Sequence, residues 1–212
     1  MSGGHHATVD AHGNPIPFSH RGPESTGSMI SYGFWLFLLS DLIIFSSLFA
    51  AYAVLNGNTA GGPTGAQLFD LKGVFMETSC LLASSFTCGL MLIAAERGQM
   101  SKFYTWAIIT WVLGAAFIGF EVTEFSDFVE RGAGPTHSAF LSAFFTLVGT
   151  HGAHVSSGLL WLLVMFGQVA VFGMKPKILR RLFCFSLFWH ALDLVWIGVF
   201  TVVYLGAFHA AA

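Results

Sequence analysis

Long uninterrupted apolar runs dominate the chain, broken by short polar links. The runs are Met29 to Leu55, Leu71 to Ala95, Tyr104 to Phe125, Ser138 to Phe172 and Leu182 to Phe208. Each is near or above the roughly 20 residues that a helix needs to cross about 30 Å of hydrocarbon. Alternation at period two, which a membrane barrel requires, is absent. The expected fold class is therefore all-α: an integral membrane bundle of five transmembrane helices over residues 29–209, preceded by a flexible tail over residues 1–28. The fourth run is too long for an upright span and must tilt or project beyond the bilayer. Links such as "ERGQMSK" from Glu96 and "GMKPKILRR" from Gly173 are short, so sequential helices should be antiparallel neighbours.

Composition strengthens this reading. Of the 212 residues 55% are hydrophobic and only 9% charged, against roughly a quarter charged in a soluble domain. A net charge of −2 supplies no basic surface for nucleic acid, and that class of partner is excluded. Cys80, Cys88 and Cys184 sit in apolar runs without a C-x-x-C, which points to small hydrophobes and not to disulfides or thiolate metal sites. The tail, with His5, His6, His12 and His20, has no apolar core of a cleavable signal. Basic residues are unevenly shared between the two ends of the bundle. Arg21, Arg97, Lys102, Lys175, Lys177, Arg180 and Arg181 lie on the side of the N-terminus, and Lys72 and Arg131 lie opposite. Basic loops stay inside, so the N-terminus is expected to be cytoplasmic and the C-terminus periplasmic, in a multi-pass protein. Trp35 and Trp106 then fall near the inner interface and Tyr52 and Tyr204 near the outer one, where aromatic belts form.

Against this apolar background the ionisable residues stand out. An ionisable group at bilayer depth costs on the order of 2.5 to 3.5 kcal/mol, so each must be paired, neutral or turned toward protein. Asp41, His151, His154, His190 and Asp193 fall near mid-bilayer, with Glu77, Glu121 and Glu124 nearer the outer face. "EVTE", "HGAH" and "HALD" each place two such residues three apart, on one helical face. Three roles fit them. His151, His154, His190 and Asp193 have the ligand types of a zinc or iron site, but neither the Glu-x-x-His of di-iron bundles nor the His-Glu-x-x-His of zinc peptidases is present. Hydrogen bonds between helices are a second role, supported by Gly149, Ala153 and Ser157, a four-residue repeat that makes a flat helix-packing seam. A proton path is the third, with Asp41 its best member because no basic residue shares its span.

"LSDLIIFSSLFAAY" from Leu39, "ETSCLLASS" from Glu77, "GFEVTEF" from Gly119, "GTHGAHVSSG" from Gly149 and "LFWHALDLVWIGVFTVVYL" from Leu187 resemble, in this order, subunit III of the haem-copper respiratory oxidases. The resemblance runs from about Met29 to Phe208. Five helices and "NGNTAGGPTGAQLFDL" before the second are closer to the bo-type ubiquinol oxidases than to the seven-helix cytochrome c oxidase subunit. The resemblance implies a non-catalytic subunit of a proton-pumping quinol oxidase in the bacterial inner membrane. Haem and copper would belong to subunit I, with no cofactor in this chain. Subunit I would be the direct partner, subunits II and IV would complete the complex, phospholipid would be bound, and the subunit would support proton delivery. Asp41 would occupy the place of the family's buried acid, His151 and His154 its H-G-x-H, and His190 with Asp193 its W-H-x-x-D. Glu124 would match a family glutamate, whereas Glu77 and Glu121 stand where cytochrome c oxidase relatives usually differ. The competing classes are a stand-alone membrane metalloenzyme and an autonomous proton carrier.

Overall fold

A computed structural model describes residues 26–209, and every described element is helical. Residues 1–25, the part of the expected tail that carries its four histidines, lie outside the described residues, and residues 26–28 belong to α1. Helix α1 spans Thr26–Leu55, α2 is the single turn Gly65–Leu68, α3 is Leu71–Glu96, α4 is Met100–Glu130, α5 is Ala139–Phe172 and α6 is Pro176–Val199. A π-helical segment, Phe200–Leu205, then runs into α7, Gly206–His209. Five helical runs are long and apolar enough to cross a membrane, the last taking in α6, the π segment and α7. The chain divides into two compact units after Phe37. The described part of the first is the opening of α1, with Tyr32 and Trp35 exposed. All that follows concerns the second, from Leu38 onward.

Local sequence sets the ends. The Asp70 carboxylate accepts from the Lys72 amide at 3.1 Å to cap α3, and the Ser138 hydroxyl accepts from the Leu141 amide at 3.2 Å to cap α5. Pro176, with no amide hydrogen to leave unpaired, opens α6. Gly173, at φ 68°, closes α5 in the left-handed conformation that side chains resist. The third and fifth spans are longer than their apolar cores, because Met100–Glu130 and the stretch from Pro176 carry polar turns at their ends.

Helices α3, α4, α5 and α6 neighbour one another in a closed ring. Trp189 of α6 fills its centre. Its indole lies against Gly114 of α4 and Gly158 of α5, so closely that a Cβ on either glycine would come within 2.9 Å of the ring or nearer. Its N–H donates to Ser84 Oγ of α3 at 3.0 Å. One side chain thus touches all four helices.

Helix α1 packs differently. From Leu38 on, its buried side chains are Leu38, Phe45 and Tyr52, seven residues apart, with Asp41, Leu48, Phe49 and Leu55 half-buried beside them. That is the narrow seam of a coiled coil. Leu39, Leu42, Ile43, Ile44 and Val54 form exposed apolar surface on the rest of the helix.

Candidate functional site

The polar residues of the spans fall into three groups. The first surrounds His151. The ring is fully buried (0% exposed), and its Nε2 donates to the Leu192 carbonyl at 3.1 Å, tying α5 to α6. Phe45 of α1, Phe117 of α4 and Trp196 of α6 enclose it, at ring separations of 6.3, 5.7 and 5.1 Å. One turn along, His154 turns away toward α1. Its Nδ1 donates to the Thr150 carbonyl at 2.7 Å, which leaves Nε2 facing Asp41 Oδ1 at 3.6 Å. Phe45, 5.2 Å from the His154 ring, stands over both histidines.

The second group joins α3 to α6. Trp196 Nε1 donates to Thr78 Oγ1 and Trp189 Nε1 to Ser84 Oγ, each at 3.0 Å, and His190 Nδ1 shares a 2.6 Å hydrogen bond with Ser85 Oγ. The partners recur about every seven residues on both helices, in antiparallel order, so one helical face of each is used throughout. His190 lies at the exposed edge of this face, and the Asp193 carboxyl is buried beside Ser85 and His190. A similar pair, Thr87 and Thr110 at 2.8 Å, links α3 to α4.

The third group is acidic. Glu77 and Glu121 are each 3% exposed, and Glu124 accepts from the hydroxyl of Tyr204 at 2.8 Å. Glu121 lies over Gly152 so closely that a Cβ there would overlap its carboxyl. Tyr204 is fully buried, which corrects its expected place in an outer aromatic belt. The π segment adds one residue to the repeat of Trp189 and Trp196, turning Tyr204 inward onto Phe69 and Phe144. Tyr52, expected beside it, is likewise buried, its ring 6.1 Å from that of Phe140.

The four side chains with metal-ligand chemistry do not converge. His151 is committed to a carbonyl of α6, His154 faces α1, and His190 and Asp193 sit with Ser85 of α3. Among the described residues no group of three His, Cys, Asp or Glu side chains could hold a metal ion, and none offers haem or copper a convergent ligand set. The stripe of Gly149, Ala153 and Ser157 is not where α5 meets its neighbours within the chain. Ala153 and Ser157 face outward, and the close helix approaches on α5 are at Gly152 and Gly158. Both sets of small residues fit a flat-seam pattern, and a helix that is apolar all round does not reveal which face turns inward.

The model of the family described as cytochrome c oxidase subunit III matches residues 19–208. The chain belongs to this family. Among its relatives is the cytochrome bo(3) ubiquinol oxidase subunit 3 of Pseudomonas aeruginosa, 50% identical over 197 residues, which are 93% of each chain. The quinol oxidase subunit 3 of Bacillus subtilis is 43% identical over 92% of this chain and 95% of its own. The cytochrome c oxidase subunit 3 of Bacillus sp. strain PS3 is 45% identical over 82% of this chain and 84% of its own. In this subunit III chain, sequence reasoning singled out the histidines and carboxyls but missed their partners: Thr78, Ser84 and Ser85, the two indoles, and Tyr204. The signal was present as spacing. Thr78 and Ser85 are seven residues apart, as are Trp189 and Trp196.

Proposed function

We propose that the chain is the third subunit of a bacterial inner-membrane quinol oxidase, holding no redox centre and bound directly to the haem- and copper-bearing subunit I, with subunits II and IV completing the complex. The observation that carries this reading is the near full-length likeness to quinol oxidase subunits from two distant bacteria. It is supported by the commitment of His151 and His190 to helix-to-helix bonds and by the exposed apolar surface of α1, which a bundle of this kind turns toward lipid or a partner. The N-terminus lies in the cytoplasm, phospholipid covers part of the apolar surface, and the Asp41–His154 pair supports proton delivery to the partner.

Purification of the tagged chain in mild detergent tests the assignment. A haem spectrum in the co-purified material, with quinol-driven oxygen uptake, is the expected result. Stoichiometric haem, iron, copper or zinc in the partner-free chain would overturn it. The 45% identical cytochrome c oxidase subunit favours one alternative, in which the same complex takes its electrons from cytochrome c; the electron donor accepted by the purified complex separates the two.

A further inference from the structure

The α1–α2 end of the bundle holds a polar crevice between α3 and α4 that the oxidase assignment does not use. Its volume is about 170 Å³. Asp70, Asp127 and Arg131 are exposed at its mouth, Gly73 and Thr123 line its walls, and Glu77 and Glu124 line it deeper in. Glu77 is seven residues beyond the Asp70 cap of α3, about 10 Å along the helix. It is almost wholly buried, and its Oε2 has no hydrogen-bond partner. Glu121, one turn deeper on α4 than Glu124, likewise keeps an unpartnered Oε2. A buried carboxyl oxygen without a partner at the wall of a polar cavity of this size calls for water, and the volume exceeds what one water needs by roughly tenfold.

We propose that this crevice is a water-filled vestibule through which Glu77, Glu121 and Glu124 exchange protons with the compartment at the α1–α2 end. A hydronium ion in the vestibule gives its proton to a carboxylate oxygen and is left as water; the reverse step returns the proton along the same route. The groups that face the carboxyls come from every element around them. Asp70 stands at the α3 cap, Asp127 and Arg131 form a 4.0 Å ion pair on α4, Tyr204 donates to Glu124 from the π segment, and α5 presents the Gly152 backbone to Glu121. No set of three ligating side chains among the described residues suits a metal ion, so water and protons are the fitting occupants. The site is distinct from the Asp41–His154 pair, which lies between α1 and α5.

Thiol accessibility in native membranes, with the whole complex assembled, tests the water path. Glu77→Cys and Gly73→Cys should react with a membrane-impermeant cationic methanethiosulfonate added on the α1–α2 side only. Their rates should exceed that of Leu81→Cys, one turn deeper and outside the crevice, by about tenfold or more, because a thiol must be hydrated to ionise and attack. If Glu77→Cys fails to accumulate, Val74→Cys, on the same wall, leaves every carboxyl in place and answers the same question. Protection of the crevice cysteines equal to that of Leu81→Cys overturns the vestibule. Proton exchange is read separately by pH-difference infrared spectra of the complex. Loss of a carboxyl carbonyl band that shifts in D₂O is expected in Glu77→Gln or Glu121→Gln; spectra that superimpose on the parent overturn the exchange role.

Discussion

The α3–α6 seam and the α1–α5 seam join helices at similar depth by different chemistry. Between α3 and α6, two indole N–H groups and a histidine meet three hydroxyls at 3.0, 3.0 and 2.6 Å, backed by a tryptophan wedged between two glycines. Between α1 and α5, a carboxyl and an imidazole stand 3.6 Å apart beside a narrow buried stripe of α1. The two indole bonds of the first involve no titratable group, so they fix register whatever the charge of His190 at the seam's exposed edge. The second can change its charge, and most of the surface of α1 beside it is open to whatever binds there. Permanent packing and conditional packing occupy separate helix pairs.

The largest expected effect comes from removing the wedge. Trp189→Ala empties the point where four helices meet and should cost about 3–5 kcal/mol, read as loss of folded subunit or a lower unfolding temperature in detergent. Trp189→Phe keeps most of the bulk and gives up the bond to Ser84, so its cost should be nearer 0.6–1.7 kcal/mol. Equal losses in the two variants would mean that the hydrogen bond, and not the wedge, holds the seam.

Next comes the contrast between the two faces of α5. A Cβ on Gly158 would sit 2.8 Å from the rigid Trp189 ring, so Gly158→Ala should cost about 1–3 kcal/mol through overpacking. Ala153→Val lies on the exposed face and should change the stability of the isolated chain by less than about 0.5 kcal/mol. If Ala153→Val leaves the isolated chain unchanged yet releases it from the purified complex, the outward face is the one the partner packs against.

A smaller step separates the two histidines. His151→Phe gives up the donation to the Leu192 carbonyl inside the ring of helices, at a cost of about 1 kcal/mol. His154→Phe should leave α5 and α6 as they are and loosen α1 alone. Hydrogen exchange resolves the two outcomes: faster exchange in α5 and α6 for the first, and in the Leu38–Leu55 part of α1 for the second.

These contrasts also mark what the sequence made legible. Five spans and the helical faces carrying His151, His154, His190 and Asp193 followed from apolar run length and three-residue spacing, because both depend only on chain geometry. The direction of each side chain did not follow. His151 and His154 share one face of α5 yet commit to different helices, since a rotation of roughly 60° between them is enough to pass from the α6 side to the α1 side. Tyr204 could not be placed because a π insertion leaves no mark in hydropathy. The hydroxyls of α3 were unread because Ser and Thr in a membrane helix usually bond their own backbone, as Thr78 and Ser84 also do, to the carbonyls of Val74 and Leu81.

The smallest expected effect tests the conditional seam itself. His154 Nδ1 bonds the Thr150 carbonyl, which can only accept, so that nitrogen carries the hydrogen and the ring is oriented without help from Asp41. At 3.6 Å, Asp41 and Nε2 are beyond a direct hydrogen bond. An amide in place of the carboxyl keeps its shape and can still donate toward Nε2. Asp41→Asn should therefore stay in the complex with stability changed by less than about 0.5 kcal/mol, whereas Asp41→Leu removes the polar group facing a partly exposed ring and should cost more, up to about 1 kcal/mol. Retention of subunit in the purified complex measures both. Normal assembly with slowed turnover in Asp41→Asn would assign the carboxyl to proton traffic; loss of the subunit as severe as in Asp41→Leu would show that its charge is what holds α1 against α5.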